Sequence, residues 1–211
     1  KCVDKYEVRE YVRSKVDDAE RILIPLIGVY NSVEEIDFKQ LPNSFILKLT
    51  NGSSFNYICL KNTPRETKKI KSRFKKWLNL NYYSIGREWA YKNVKNRIIC
   101  EELLLTSTGN PPEDYRFFCF DGKVKLISVD LESVIDGVKN SNYYRNLYDK
   151  DWNMIEGTIE YPNKPEHKIP KPKVLDEMIY VAEKLSEDFP AVRVDFYYFD
   201  GKFYFGELTF Y

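Results

Sequence analysis

Two carboxylates near the end of the chain have the residue types and spacing to hold a hard cation. Asp195 stands in Arg193-Val194-Asp195-Phe196, and Glu207 in Gly206-Glu207-Leu208-Thr209. The β-rich runs 192–199 and 202–211 flank Asp200-Gly201, so they read as a hairpin. Whether the two acids meet depends on its turn. A two-residue turn at Asp200-Gly201 sets Asp195 opposite Gly206 and leaves Glu207 on the other face. A three-residue loop, Phe199-Asp200-Gly201, pairs Arg193 with Glu207 and puts Asp195, Glu207 and Thr209 on one face. In that register Val194, Phe196, Leu208 and Phe210 form a uniformly apolar opposite face, so it is the one expected. Oxygen donors gathered this way suit Mg²⁺. The plainer alternative is an Arg193–Glu207 ion pair on an ordinary sheet.

Two other groups carry possible chemistry. Lys48 precedes the small polar loop Asn51-Gly52-Ser53-Ser54, whose N–H groups could cradle phosphate oxygens. No GK[ST] follows and no helix follows, so this is not a Walker loop, and an ordinary hairpin turn is the plainer reading. Glu101-Glu102-Leu103 closes the apolar run 97–105; paired acids there can simply open an exposed loop. There is one histidine, His167, and the four cysteines (Cys2, Cys59, Cys100, Cys119) are scattered. Thiolate zinc sites and histidine-dependent triads are poor fits, and reduced cysteines of a cytosolic protein are expected.

The elements that must position these residues follow from pattern. Asp4 caps a first helix with Val8, Tyr11, Val12 and Val16 at helical spacing, and 22–29 is a buried extended segment. Ser32 and Glu35 suggest a capping box for a short helix ending near Asp37. Runs 45–50 and 55–60 form one hairpin; 115–120 and 123–131 form another around Asp121-Gly122. Segment 86–94 reads as a short helix, 107–114 as a loop, and the proline-bearing stretch 132–172 as irregular cover. Helix 173–188 carries the stripe Leu175, Met178, Ile179, Ala182, Leu185 and stops at Pro190. Helices interleaved with hairpins mean an α+β layout rather than a doubly wound sheet.

Composition bounds the function. The 211 residues are 43% hydrophobic and 31% charged, which excludes a disordered tail. Thirty-three Lys+Arg balance 32 Asp+Glu; a net +1 argues against a dedicated nucleic-acid binder. Residues 61–77 nevertheless hold eight basic residues and one acid, read as a solvated helix face or lid, or else a phosphate or anionic-glycan contact or, least favoured, a nucleic-acid patch. Seventeen tyrosines, 13 phenylalanines and three tryptophans suit thick sheet packing, with a base- or sugar-stacking surface as the alternative. No apolar run reaches the roughly 18 residues of a membrane span, and the opening KCVDKYEV is not a signal peptide. A start at Lys1 and an end within an apparent strand are expected of a piece of a longer protein.

In order along the chain, these parts resemble the TupA-like ATP-grasp family, named for a teichuronopeptide-synthesis protein of bacterial surface-polysaccharide genes. VRVDFYYFDGKFYFGELTFY (192–211) is similar to the family's metal hairpin. FILKLTNGSS (45–54) is similar to its strand and glycine-rich loop, IICEELL (98–104) to its adenine hinge, and DKYEVREYV (4–12) to its opening segment. The resemblance implies an ATP-grasp fold: two α+β subdomains with antiparallel sheets gripping ATP between them. It implies an opening helix with connecting segment (1–30), a small subdomain (31–103) and a large, C-terminally truncated one (104–211). Lys5 and Lys48 would then contact phosphates, and Asn51, Gly52, Ser53 and Ser54 would form the flap. Glu101 would accept from the adenine amino group, with Glu102 and Leu103 as hinge backbone and Asp114 at the ribose. Asp195, Glu207 and Thr209 would hold Mg²⁺ near Lys48, and Arg193 would face the transferred phosphoryl group.

The implied activity is a cytoplasmic Mg·ATP-dependent ligase that activates a carboxylate as an acyl phosphate for amide formation in surface-polysaccharide assembly. Its partners would be small-molecule or glycan carboxylates and amines, with no nucleic acid, no membrane span, and an association with membrane-linked glycan intermediates left open. A phosphotransferase on the same fold and a non-catalytic glycan- or polyanion-binding module are the alternatives. Tyr143, Tyr144, Arg145, Asn146 and Asp149 are acceptor-side candidates in the irregular stretch.

Overall fold

The structure, a computed structural model, describes residues 1–131, 134–135 and 138–210. The chain divides into two compact units. One comprises residues 1–11 and 23–103, the other residues 12–22 and 104–211. The chain passes from the first to the second within helix α1 (Val8–Lys15). As expected, Asp4 opens that helix: its carboxylate accepts from the N–H groups of Tyr6 and Glu7, at 2.8 and 3.0 Å.

The first unit is a four-stranded antiparallel sheet. Its strands are β1 (Leu26–Tyr30), β2 (Phe45–Leu49), β3 (Asn56–Cys59) and β4 (Ile98–Glu101), in spatial order β1-β4-β2-β3. Period-2 alternation sends Phe45, Leu47 and Leu49 inward. They pack with Ile98, Cys100 and with Ile70 and Phe74, one turn apart on helix α2 (Thr67–Leu78). Two sequence expectations need correction here. Residues 33–35 make a single 3₁₀ turn rather than a boxed helix; Ser32 makes no capping bond, and Glu35 accepts from Asn31 N–H instead. The expected helix 86–94 is split: α3 (Tyr82–Gly86) ends where Arg87 turns left-handed (φ 57°), and only a 3₁₀ turn, Trp89–Tyr91, follows.

The second unit is built on a six-stranded antiparallel sheet. After residues 12–22 its chain resumes with β5 (Glu113–Phe120) and β6 (Lys123–Leu131). A separate small ribbon follows, joining β7 (Val134–Ile135) and β8 (Val138–Lys139). Then come β9 (Tyr144–Tyr148), β10 (Met154–Ile155), β11 (Ala191–Phe199) and β12 (Lys202–Thr209). The spatial order of the main sheet is β10-β9-β6-β5-β11-β12. Helix α4 (Leu175–Ser186) lies against β5, β6 and β11 and buries Met178, Ala182 and Leu185. Phe117, Ile127, Val194 and Phe196 form the facing core. The stretch 132–172 is less irregular than expected, since β9 pairs along β6 inside the main sheet.

Candidate active site

The β11–β12 hairpin puts its polar residues on one face, by a route different from the expected one. The turn is the two-residue Asp200-Gly201, both left-handed (φ 51° and 75°), with Phe199 opposite Lys202. The expected three-residue loop is therefore wrong. The ladder then slips by one residue at a bulge between Asp195 and Phe196. Phe196 faces Phe205, Asp195 faces Glu207, and Gly206 is the extra residue. A Cβ on Gly206 would stand 3.1 Å from the Asp195 carbonyl oxygen, so the bulge is tight. Asp195 and Glu207 thus lie directly opposite each other, and Arg193 lies opposite Thr209.

Arg193 organises this face. Its Nε and Nη2 hold the two carboxylate oxygens of Asp195 at 2.7 and 2.6 Å, and Nη2 reaches Thr209 Oγ1 at 3.0 Å. Glu207 Oε1 is 3.7 Å away, and its side chain is 42% exposed against 9% for Asp195. Burial raises the Asp195 carboxyl above its ordinary value, and the guanidinium works against that shift.

The same face continues across the sheet. Asp195 is opposite Arg116 on β5, and Tyr197 is opposite Asp114, which in turn is opposite Asp130 on β6. Arg116 Nη2 sits 2.7 Å from Asp130 and 3.8 Å from Asp114. Arg145 on β9 binds Asp130 with two bonds, 2.6 and 3.1 Å. Burial pushes Asp114 up to about 7; Asp195, Asp130 and Glu207 add to the shift, and Arg116 opposes it. Asp114 therefore belongs to a carboxylate–guanidinium row. Neither Arg116 nor Asp130 stood out in the sequence. Each occupies an alternate position of a strand, the only signal available.

In the first unit, Lys48 on β2 reaches across to Glu101 on β4, Nζ to Oε2 2.8 Å. Arg9 takes the other oxygen of Glu101 at 3.4 Å and also donates to the Ile24 carbonyl. Glu101 is buried between two cations, and Arg9 was not anticipated. Past it, Glu102 N–H bonds the Pro25 carbonyl, while Leu103 lies outside β4 and is half-buried.

The loop after β2 is held at its base. Thr50 bridges Lys95 and Arg97 through its hydroxyl, and Asn51 donates to Val94. Lys5 Nζ donates to the Gly52 carbonyl at 2.6 Å. Gly52 (φ 86°) is buried under the Tyr82 ring, whereas Ser53 and Ser54 are exposed. So Lys5 joins Gly52, and Lys48 joins Glu101. Of the acceptor-side candidates, Arg145 and Asn146 are buried in β9, Asn146 bonding the carbonyls of Lys164 and His167. Asp149 accepts from Asp151 and Asn153 in a turn.

Among the described residues, no three His, Cys, Asp or Glu side chains converge as a self-sufficient metal cage. The donors Asp195, Glu207 and Thr209 fit a different mode of binding. Magnesium keeps several waters and is commonly held by one or two carboxylates plus substrate phosphates. All three donors are oxygens on one face, and the exposed Glu207 is within reach of solvent.

Structural comparison finds the same fold, two antiparallel sheets with helices, in several ligases and synthetases. D-alanine–D-alanine ligase from Bacillus anthracis, solved with ATP, superposes with a TM-score of 0.53 at 14% identity, over 99% of this chain and 53% of that one. The D-cycloserine synthetase DcsG gives 0.53 at 11% identity, over 98% and 61%. N5-carboxyaminoimidazole ribonucleotide synthetase from Thermus thermophilus gives 0.51 at 8%, over 99% and 45%. The chain spans about half the length of these neighbours. No curated protein matches it. The family model described as TupA-like ATPgrasp matches residues 1–211, and the chain belongs to that family.

Proposed function

We propose that this chain carries the nucleotide and metal site of a Mg·ATP-dependent ligase that converts a carboxylate to an amide. The observation that carries the reading is the Gly206 bulge, which sets Asp195 opposite Glu207 with Arg193 and Thr209 on the same face. A hairpin built only for stability has no need to gather two acids on its polar side. Membership in the family and ligases of the same fold support it.

In this reading Asp195 and Glu207 would hold Mg²⁺, with Thr209 as a further oxygen, and the ion would supply neutralisation of phosphate charge. Arg193, bonded to Asp195 and Thr209, would face the phosphoryl group in transfer. Lys48 and Lys5 would contact phosphate, the first giving up Glu101 and the second the Gly52 carbonyl. The exposed Ser53 and Ser54 and the left-handed Gly52 form the flap, with Asn51 anchoring it. Glu101 accepts from the adenine amino group, Glu102 and Leu103 supply hinge backbone, and Asp114 binds ribose.

The reaction transfers the terminal phosphoryl group to a carboxylate oxygen with ADP leaving. An amine then attacks the acyl carbon and expels inorganic phosphate, which carries away the amine's proton. No side-chain nucleophile is required, so positioning and charge neutralisation carry the rate. The substrates are small-molecule or glycan carboxylates and amines of bacterial surface-polysaccharide assembly, and the use of ATP makes the location cytoplasmic. The test is product analysis with candidate acids and amines. Amide plus ADP supports the ligase; a stable phosphorylated product with no amide supports the phosphotransferase reading instead. Asp195→Asn lowers turnover by about 100-fold or more.

A further inference from the structure

Residues 61–97 hold twelve lysines and arginines against two glutamates, a local +10 that leaves −9 for the rest of the chain. Two of these cations serve the fold. Arg65 donates to the carbonyl oxygens of Phe38, Leu41 and Pro42, and Arg97 pairs with Asp4 and Glu7. Most of the others face outward. On α2, Lys68, Lys69, Arg73, Lys75 and Lys76 are exposed, while Ile70 and Phe74 are buried. At helical spacing these five cations cover an arc of about 160° opposite the buried stripe.

Next to this basic helix, large apolar side chains face water. Ile85 is 63% exposed and Trp89 71%, with Leu80 at 37%. Isolated exposed apolar residues are ordinary. Here they fall within ten residues and among cations. Lys92 Nζ is 4.4 Å from the Trp89 ring centroid, and both Arg87 and Lys92 lie over Tyr83 at 5.9 and 5.8 Å.

We propose that this surface, from α2 through the Trp89–Tyr91 turn, is a peripheral docking site for a bilayer of anionic phospholipid. Clustered lysines and arginines are drawn to an anionic leaflet. Tryptophan and isoleucine flanked by cations then have an interface to enter, the ring at headgroup level and the cations on phosphate. A soluble polyanion would use the charges but leave Trp89 and Ile85 in water. The proposal does not depend on the catalytic reading.

Sedimentation of this chain with vesicles tests it. One set is phosphatidylcholine alone; the other contains about one-third phosphatidylglycerol, at about 0.15 M salt. The chain is expected to pellet with the anionic vesicles only. K75E/K76E and, separately, I85S/W89A each lower partitioning by about tenfold or more, with thermal melts confirming that both fold. Quenching of tryptophan emission by brominated lipid gives the same readout in the unaltered chain. Failure to pellet with anionic vesicles overturns the proposal, as does absence of quenching. Binding that survives I85S/W89A and is competed equally by soluble polyphosphate marks a polyanion surface and also overturns it.

Discussion

The chemistry of single residues here is set by how charges are buried. Asp130 and Arg145 are 1% and 3% exposed and share two hydrogen bonds. Asp130 is also held by Arg116 at 2.7 Å, so removing it takes the shared carboxylate from two guanidinium groups. Asp130→Ala should cost about 3–5 kcal/mol in denaturant melts, and Asp130→Leu combined with Arg145→Met less, with Arg116 alone losing its nearest carboxylate. A single substitution costing under about 1 kcal/mol would show that solvent reaches the pair. Glu113 works in the other direction. Burial raises its carboxyl above the ordinary value, and His167 only partly offsets this. A carboxyl raised on folding favours the folded state while protonated. Its contribution is present at acid pH and is lost as pH rises through the folded value. Glu113→Gln should therefore flatten the pH dependence of stability and gain on the parent at neutral pH. An unchanged slope between acid and neutral pH would contradict this.

At the scale of elements, two Asp-Gly turns do similar work. Asp121-Gly122 (φ 47° and 71°) and Asp200-Gly201 both take the left-handed pair of angles that suits a two-residue hairpin. Both hairpins were legible in sequence, although the second was expected with a three-residue loop; so were the period-2 strands, helix α4 and the α+β class. The bulge was not. Asp195 and Glu207 were expected on one face through a longer loop, but the structure reaches that face through a tight turn and a slip at Gly206. A strand's side-chain alternation cannot distinguish these, because both restore the same parity. Strand β9 was missed for another reason. Four of its five residues are buried, and two of them are the polar Arg145 and Asn146, whose satisfaction comes from Asp130 and from the carbonyls of Lys164 and His167. Only tertiary partners make such a strand stable. The left-handed Arg87 that splits the 86–94 segment likewise has no sequence signature.

The two glycines of the last hairpin separate stability from site geometry. Gly201 has open space around it, so Gly201→Ala pays only for its positive φ, about 1 kcal/mol, lowering Tm by about 2–4 °C. Gly206→Val instead drives side-chain atoms against the Asp195 carbonyl and Tyr197. It should abolish Mg·ATP-dependent stabilisation while the far-ultraviolet circular dichroism stays native, whereas Gly201→Ala should keep that stabilisation. If Gly206→Val binds Mg·ATP normally, the bulge does not position the acids.

At the scale of the molecule, each unit has its own antiparallel sheet and its own core, and each carries part of the proposed chemistry. The first has Lys5, Lys48, Glu101 and the loop after β2; the second has Asp114, Arg193, Asp195, Glu207 and Thr209. The net charge of +1 hides a strongly uneven distribution, with its basic part concentrated in residues 61–97. The chain spans about half of the ligases it superposes on, so binding of nucleotide is a more direct question for it than turnover. The deciding measurement is a thermal melt with ATP and Mg²⁺ separately and together, in the chain and in Asp195→Asn. Ligand at about 100 times its dissociation constant adds about 2.7 kcal/mol, a rise in Tm of about 5–10 °C at this size. The account predicts that rise only with both ligands present, and none in Asp195→Asn. An equal rise in Asp195→Asn, or no rise in the parent chain, would contradict it.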